Sequence, residues 1–292
     1  MTSEQPFRPS VISPEHPLHP ALTAAVELAR SAGRLLLAHL ERSARGLNYK
    51  RSASDIVTEA DVLSEELILS GLKARGLEYS VVAEESAAEA IDLQQEAVWL
   101  VDPLDGTTNF ASGLPFFSVS IALWLEGKPA VGVVHDVVRN QTYWALAGCG
   151  AWLDDGRRLH VSQQATLSRS VIGTGFPFDR LSNRDNNLAE FAYLAPRLRG
   201  IRRHGSAALD QALVAAGRLD AFWEAKLMPW DWGAGVLLVK EAGGRVTDYK
   251  GAEWSGRARG LVVSNGLIHD ELLEAIHTAR REAGLDEGHV AV

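Results

Sequence analysis

A layered α/β fold is the class that this chain of 292 residues predicts. Segments with apolar residues at three- and four-residue spacing, typical of amphipathic helices, alternate with short apolar runs typical of strands. In the middle of the chain, several strand-like runs follow one another across turn residues, which indicates an antiparallel meander. Hydrophobic residues make up 46% of the sequence, enough for a large core. We see no internal repeat, and no linker that would separate independent domains.

Charge and cysteine content narrow the classes of function. The net charge is −8, so a general attraction to nucleic acid is not expected, because polyanion binding needs a basic surface. The single cysteine, Cys149, excludes an intramolecular disulfide and a cysteine-based zinc cluster, and it fits a reducing compartment. No apolar run approaches the ~20 residues that span a bilayer, and the first residues lack a secretion signal. We therefore expect a cytoplasmic protein without a membrane partner.

Prolines set the first element apart from the rest of the chain. Residues 1–20 contain five of the eleven prolines, which predicts a tail or arm rather than a packed helix. From residue 21 to about 40, Leu22, Val26 and Ala29 begin a helical repeat that predicts the first amphipathic helix.

A second helix and a short strand come next. Thr58 and Asp61 are spaced as in a capping box and predict a helix start, which is also a sufficient structural role for both residues. Residues 79–83 then predict a strand that ends at Glu84. An acid therefore stands at the carboxyl end of this predicted strand.

The most informative stretch is residues 99–110, W-L-V-D-P-L-D-G-T-T-N-F. Residues 97–101 predict a buried strand that delivers Asp102 and Asp105 to its carboxyl end. Pro103 fixes φ and lacks an N–H group, so the chain must turn there. The D-P-x-D-G pattern is also good turn chemistry, so the motif alone leaves an ordinary turn open.

Backbone amides follow these two acids. If a helix or turn begins at Asp105, the amides of Gly106, Thr107 and Thr108 have no partner within it and favour an anion. Two acids need cations, whereas free amides beside hydroxyls suit a phosphate. The segment therefore predicts metal-assisted phosphoryl chemistry.

Strands and helices alternate through the rest of the chain. The meander strands are predicted at 116–125, 130–138 and 141–146. In the second half, strands are predicted at 170–174, 219–223, 245–248 and 261–264, and helices at 187–198, up to about 216, at 233–242 and at 267–283. Asp231 stands where the N-cap of the helix at 233–242 would stand, so capping is its structural alternative.

Five acids lie at the ends of predicted elements: Asp61, Glu84, Asp102, Asp105 and Asp231. Two carboxylates ~4 Å apart repel by about 4 kcal/mol at an effective dielectric constant of about 20. A bound cation reverses that repulsion, and all-oxygen ligands suit Mg²⁺ or Mn²⁺ rather than zinc. We therefore expect these acids to converge on divalent ions.

Three motifs resemble those of the inositol monophosphatase family of lithium-sensitive, magnesium-dependent phosphatases. V-V-A-E-E-S at 81–86 resembles the family's Glu-Glu segment, and the stretch at 99–110 resembles its first signature. W-D-W-G-A-G-V-L-L-V-K-E-A-G-G at 230–244 resembles its second signature. Gly233 departs from the usual Ala or Cys, a small residue for a small one, so only local packing is affected.

A fourth match and the coverage extend this resemblance. Lys50 and Asp55, together with Asp61, fall where the family has its K…D…TxAD region. The resemblance covers about residues 20–285 and implies a five-layered αβαβα sandwich and a homodimer. The implied organisation is an N-terminal arm at 1–20 and one domain at 21–285, with lobes at about 21–165 and 166–285.

Carried over by position, the resemblance implies a set of metal ligands. Glu84, Asp102 and the carbonyl of Leu104 would hold one Mg²⁺. Asp102, Asp105 and Asp231 would hold a second, and a third, weaker ion would lie near Glu84. Lithium is implied to inhibit by replacing the ion held by Asp102, Asp105 and Asp231.

The resemblance also implies the catalytic and phosphate-binding groups. Thr107, hydrogen-bonded to Asp61, would orient the attacking water and help to deprotonate it, with Glu84 close by. The amides of Gly106, Thr107 and Thr108 would hold the phosphate.

The substrate implied is inositol 1-phosphate or a similar small polyol phosphate. Glu224 falls where the family contacts ring hydroxyls, and a carboxylate is a good acceptor for them. A surface acid at a strand end is the alternative for Glu224. The other implied substrate contacts are Asp105, Gly205, Ser206, Ala207 and Asp231.

Other functions stay open on the same residues. Histidinol-phosphatase, fructose-1,6-bisphosphatase and 3′-phosphonucleotide phosphatase activities belong to related enzymes. A binding or regulatory role in gene expression is the alternative of a different class. It would use the basic cluster Arg197, Arg199, Arg202 and Arg203, for which a solvated face is the simpler interpretation.

Overall fold

The computed structural model describes residues 9, 11–43, 59–86, 93–258 and 260–285. Within them the chain forms five layers: a helix pair, a six-stranded sheet, central helices, a five-stranded sheet and a second outer helix pair. The predicted α/β sandwich is therefore confirmed, including its αβαβα order. The predictions for Lys50, Asp55 and Thr58 concern positions outside the described residues.

The first half of the chain forms one outer helix layer and the larger sheet. Helices α1 (His19–Ser43) and α2 (Glu59–Ala74) cover a sheet whose spatial order is that of the sequence. Its strands are β1 (Ser80–Ala83), β2 (Ala97–Asp105), β3 (Ser118–Leu125), β4 (Lys128–Asp136), β5 (Gln141–Leu146) and β6 (Gly150–Leu153), with helix α3 (Thr107–Ala111) after β2. Only β1 and β2 pair in parallel. The meander has one strand more than predicted, because β6 begins at a positive-φ glycine that resembles a turn.

The second half supplies the central helices, the smaller sheet and the other outer layer. Its elements are β7 (Val171–Thr174), α4 (Leu188–Leu194), β8 (Gly200–Arg202), α5 (Ala207–Ala215), β9 (Ala221–Ala225), α6 (Pro229–Trp232), α7 (Gly235–Glu241), β10 (Arg245–Asp248), β11 (Gly260–Ser264) and α8 (His269–Glu282). The strand order is β10-β11-β9-β7-β8. The three-residue edge strand β8 was not predicted. Helix α4 ends earlier than predicted, because a 3₁₀ turn containing Pro196 follows it.

The start of the described chain is anchored to the core. Ile12 is buried against the apolar cluster between the first helix layer and the larger sheet, so this part of the predicted arm is packed. The domain and lobe boundaries themselves stay a prediction. None of the described helices is long and apolar enough to cross a membrane.

Gly71 sets the close approach of α1 and α2. A Cβ atom at this position would collide with Cδ2 of Leu28, which is buried. We expect Gly71→Ala to lower the free energy of unfolding by about 1–3 kcal/mol, despite the ~1 kcal/mol that alanine gains in helix propensity. Urea denaturation measures this loss, and Ser70→Ala on the exposed side of α2 is the control. Equal stability of both variants would mean that the two helices can move apart freely.

His135 is a buried, uncharged histidine in β4. Burial, and then the guanidinium charges of Arg30 and Arg34, lower its pKa to about 3. Because this folded-state pKa lies below the usual ~6.5, His135 stabilises the fold above pH ~6.5, and that contribution is lost as the pH falls toward 3. Between pH 7 and pH 5, wild type should lose about 2 kcal/mol more stability than His135→Gln in urea unfolding. If the free energy of unfolding changed with pH by the same amount in both proteins, a buried, neutral His135 would be contradicted.

Candidate active site

An irregularity in β2 places two carboxylates on one face of the larger sheet. Asp102 pairs with Ser120 of β3 and Asp105 pairs with Ser118, so three steps along β2 match two along β3. Side chains two apart on a strand share a face, and the extra residue lets Asp102 and Asp105 do so despite their odd spacing. That face is turned toward the central helices, because Ser120 Oγ donates to the carbonyl of Trp230.

The start of α5 holds the carboxylate of Asp105. Its Oδ2 accepts hydrogen bonds from Ser118 Oγ (3.2 Å), Ser206 Oγ (2.5 Å) and the amide of Ala208 (2.9 Å), and Oδ1 accepts the amide of Ala207 (3.1 Å). The pKa of Asp105 is nevertheless raised, because burial outweighs these hydrogen bonds. Since Oδ2 is fully engaged, Oδ1 is the oxygen that a cation would find available.

Strand β1 brings Glu84 alongside Asp102. Ala83 pairs with Val101, and the amide of Glu84 donates to the carbonyl of Val101 at 3.2 Å. The carboxyl groups of Glu84 and Asp102 lie within hydrogen-bonding reach of each other. Burial raises the pKa of both groups well above the usual range, and repulsion from neighbouring acids raises them further. Such a pair needs either a shared proton or a cation.

Helix α6 contributes Asp231 from the other half of the chain. Its Oδ2 accepts the amide of Met228 at 2.7 Å, so Met228 is the N-cap and Asp231 lies in the first helical turn. The prediction that Asp231 is an N-cap is therefore wrong, because the helix begins at Pro229. Asp231 instead accepts the amide of the N-cap residue from the third helical position. Burial, and then repulsion from Asp105, raise the pKa of Asp231 to about 7.

Asp61 lies in α2, and Thr107 is the first residue of α3. Asp61 is buried in α2, and its charge contributes to the raised pKa of Glu84. The hydroxyl of Thr107 donates to the carbonyl of Leu104 at 3.1 Å. The hydrogen bond between Thr107 and Asp61 stays a prediction for the protein with its ligands bound.

The turn before α3 requires glycine. Gly106 has a φ of 103° and precedes the first helical residue. A Cβ atom there would lie a tight 3.2 Å from the carbonyl oxygens of Gly205 and Phe116, so both the backbone conformation and the available space favour glycine. The amides that open α3 have no partner within the helix and can therefore receive an anion.

Glu224 faces the other acids rather than open solvent. It is half-buried in β9 against Gly175, where a Cβ atom would collide with its carboxyl group. Burial, and then repulsion from Asp231, raise its pKa well above the usual range, and the guanidinium of Arg203 partly offsets this. These observations favour a site residue over the surface-acid alternative.

Three residues beside the site were not singled out from the sequence. They are Asp210, Asn109 and Gly175. Asp210 is only 1% exposed and forms a hydrogen bond with His204, and Asn109 donates a hydrogen bond to the carbonyl of His204 in the second half of the chain. An acid within the apolar helical run A-A-L-D-Q-A was a signal that could have identified Asp210. Gly175 carried no local signal, because its importance comes from a strand 49 residues away that places Trp223 opposite Thr174.

The donor set fits a divalent cation. Glu84, Asp102, Asp105 and Asp231 offer only oxygen. Burial raises the pKa of all four, and repulsion from neighbouring acids adds to it at Glu84, Asp102 and Asp231. Among the described residues, no three such side chains already stand at ligating distances, since Asp105 and Asp231 are turned toward backbone amides. Crowded carboxylates beside unpaired amides can bind a cation and a phosphate together.

Comparison with known proteins gives one consistent result. Residues 18–284 match the profile of a family described as "Inositol monophosphatase family". The chain is 40% identical over 276 residues to an inositol-1-monophosphatase from Synechocystis sp., with 94% of each chain covered. It is 42% identical to the Nus factor SuhB of Pseudomonas aeruginosa, with 89% of this chain and 96% of that protein covered.

A solved structure agrees with these sequence relatives. An inositol monophosphatase from Anabaena (Nostoc) sp. superimposes with a TM-score of 0.80 at 40% identity. The match covers 89% of this chain and 96% of the other. Fold and sequence similarity therefore extend over nearly the whole chain.

Proposed function

Because this chain belongs to the inositol monophosphatase family and is a phosphatase, we propose that it hydrolyses a small polyol phosphate such as inositol 1-phosphate. One observation carries the proposal. Glu84, Asp102 and Asp231 come from three separate stretches of the chain, and repulsion from neighbouring acids, Asp105 among them, raises their pKa values. Divalent cations are what such a cluster needs, and phosphoryl transfer uses the same cations.

The proposed metal ligands follow from this cluster. Glu84, Asp102 and the carbonyl of Leu104 would hold one Mg²⁺, and Asp102, Asp105 and Asp231 would hold a second. A third, weaker ion would lie near Glu84, and Mn²⁺ should replace Mg²⁺. When bound, these ions activate the attacking water and neutralise charge on the phosphoryl and leaving oxygens.

The chain's own groups would complete the reaction. The amides of Gly106, Thr107 and Thr108 would bind the phosphate oxygens at the start of α3. The hydroxyl of Thr107, hydrogen-bonded to Asp61, would orient the attacking water and help to remove its proton, with Glu84 close by. Asp105 would reach its cation through Oδ1, since Oδ2 is held by three donors.

The substrate side of the site favours hydroxyl groups. Glu224 is a half-buried acceptor, and the turn of Gly205, Ser206 and Ala207 packs beside the phosphate-binding turn. The relative named inositol-1-monophosphatase supports a polyol phosphate over histidinol phosphate, a sugar bisphosphate or a 3′-phosphonucleotide.

A substrate panel tests this proposal. Phosphate release from inositol 1-phosphate, histidinol phosphate, fructose 1,6-bisphosphate, adenosine 3′,5′-bisphosphate and NADP should be highest, as kcat/KM, for inositol 1-phosphate. Chelator should abolish phosphate release, Mg²⁺ should restore it and Li⁺ should inhibit it.

Glu224→Gln should raise KM for inositol 1-phosphate but not for phenyl phosphate, which has no hydroxyl groups. Full activity in chelator, or a better substrate in the panel, would overturn the proposal.

A regulatory role is the second candidate. Arg197, Arg199, Arg202 and Arg203 are exposed around the edge strand β8, and one relative is named a Nus factor. If the chain acts as a binding partner in gene expression, Asp102→Asn should keep that partner while losing phosphatase activity. Pull-down with wild type, Asp102→Asn and a variant lacking these arginine charges separates the two roles.

We also propose, from family resemblance, a cytoplasmic homodimer in which residues 21–285 form one domain with lobes at about 21–165 and 166–285. Light scattering should give twice the 31.6 kDa mass of the chain. A monomer at all concentrations would contradict this assembly.

A further inference from the structure

A hydrogen-bonded pair of side chains at the start of α5, the half-buried His204 and the buried Asp210, has no part in the proposed chemistry. His204 Nδ1 forms a 2.5 Å hydrogen bond with Oδ1 of Asp210. Asp210 is only 1% exposed, and its Oδ2 has no hydrogen-bond partner among the described residues. A buried carboxyl group with a single partner depends strongly on that partner. This hydrogen bond therefore fixes the positions of both side chains.

His204 is fixed from two further directions. Its ring stacks on Phe116 with 4.5 Å between centroids and 21° between planes. Its carbonyl accepts a 2.7 Å hydrogen bond from Asn109 Nδ2, which also donates to the carbonyl of Phe116 at 2.6 Å. Asn109 belongs to α3 and His204 to the second half of the chain. These contacts therefore join the two halves beside the phosphate-binding turn.

The turn at residues 204–208, which begins at His204, orients the carboxylate of Asp105. Three of the four hydrogen bonds to the Asp105 carboxylate come from Ser206 Oγ and the amides of Ala207 and Ala208. The fourth comes from Ser118. A shift of this turn would therefore move most of the donors that orient Asp105.

We propose that His204 and Asp210 are positioning residues for metal binding. The pair fixes the turn at 204–208, and the turn directs Oδ1 of Asp105 toward the cation. This inference rests on the proposed function, because it takes Asp105 as a Mg²⁺ ligand. Outer partners of metal ligands commonly change metal affinity by about 10–100-fold when removed.

Calorimetric titration with Mg²⁺ tests the pair without an activity assay. His204→Ala and Asp210→Ala should each raise the Kd for Mg²⁺ by about 10-fold. The double variant should be no worse than either single variant, because the two residues act as one unit. Asp210→Asn keeps an oxygen that can accept the His204 Nδ1 hydrogen and should recover most of the affinity. Saturating Mg²⁺ should restore kcat in these variants and leave KM for the ester near the wild-type value.

His135→Ala is the matched control. It removes a histidine that likewise has one hydrogen bond to another side chain, that of Thr142, but lies in the other half of the chain and is more deeply buried than His204. It should lower Tm and leave the Kd for Mg²⁺ unchanged. Should His204→Ala not fold, His204→Phe keeps the ring stack but not the hydrogen bond, and it takes its place.

The outcomes separate the inference from the proposed function. If wild type binds Mg²⁺ and the His204 and Asp210 variants bind it equally well, the positioning role is overturned and the phosphatase proposal stands. Additive losses in the double variant would also overturn the pair as a unit. If wild type binds no Mg²⁺, the metal assignment fails, and the positioning role fails with it.

Discussion

Asp102→Asn should abolish phosphate release while the protein stays folded. We expect kcat/KM to fall by about 10³-fold or more, because this carboxylate is the proposed ligand shared by both ions. Asparagine keeps an oxygen for the amide of Leu104, which Asp102 Oδ1 accepts at 3.0 Å, so the local backbone should not change. Steady-state assays with excess Mg²⁺ measure the loss, and circular dichroism verifies the fold.

The same substitution should stabilise the protein in chelator. Burial, and then repulsion from Glu84, Asp105 and Asp231, raise the pKa of Asp102, so its ionised form is unfavourable in the fold. Removing one of these charges should raise the free energy of unfolding by about 1–4 kcal/mol. Wild type should gain Tm with added Mg²⁺, as expected for a ligand that binds only the folded state, and the variant should gain far less.

Asp220→Asn is the matched control for these two effects. Asp220 accepts hydrogen bonds from Ser162 Oγ at 2.6 Å and the amide of Val171 at 2.7 Å, and neither partner belongs to the proposed metal cluster. Its replacement should lower stability and keep both turnover and the Mg²⁺ response. An Asp102→Asn variant that keeps turnover, or that loses stability like Asp220→Asn, would contradict the proposed metal cluster.

Thr107→Ala should lower kcat by about 10²–10³-fold with little change in KM. The hydroxyl of Thr107 donates to the carbonyl of Leu104, so its oxygen is held at a defined place beside the proposed ligands. The phosphate-binding role belongs to the backbone amide, which alanine retains. Substrate affinity should therefore survive, and only the orientation and deprotonation of water should suffer.

Thr107→Ser tests this assignment by keeping the hydroxyl. It should recover most of kcat, because serine can make the same hydrogen bond to Leu104. Initial rates across a range of ester concentrations separate kcat from KM. A raised KM with unchanged kcat in Thr107→Ala would mean that this residue only binds the substrate.

Much of the fold could be predicted because the signals are local. Apolar periodicity located most helices and strands. The strands β6 and β8 were missed because glycines and arginines interrupt their apolar pattern, and helix α6 was missed because it has only four residues. The acids at element ends were found in the same way. That these acids lie close together could be predicted only from the resemblance of the motifs to a known family. The spacing of residues along the chain does not show that Asp231 approaches Asp105.

Tertiary structure decided the details of the site. Pro103 predicted a turn after residue 101, whereas β2 continues to Asp105, and the irregular pairing that puts Asp102 and Asp105 on one face depends on β3. The contact of Glu224 with Gly175 and the pair His204–Asp210 join parts of the chain that meet only after packing. The role of Ser206 as a donor to Asp105, beside its expected place on the substrate side, also emerged only there.

By itself the sequence determined the layered architecture, the five acids and the chemistry that they favour, because hydrophobic period and residue type act locally. Only the folded chain decided which oxygen of Asp105 is available and which groups orient it. Hydrogen bonds and carboxylate repulsion act over a few ångströms, and those distances are set by packing between elements rather than by order along the chain.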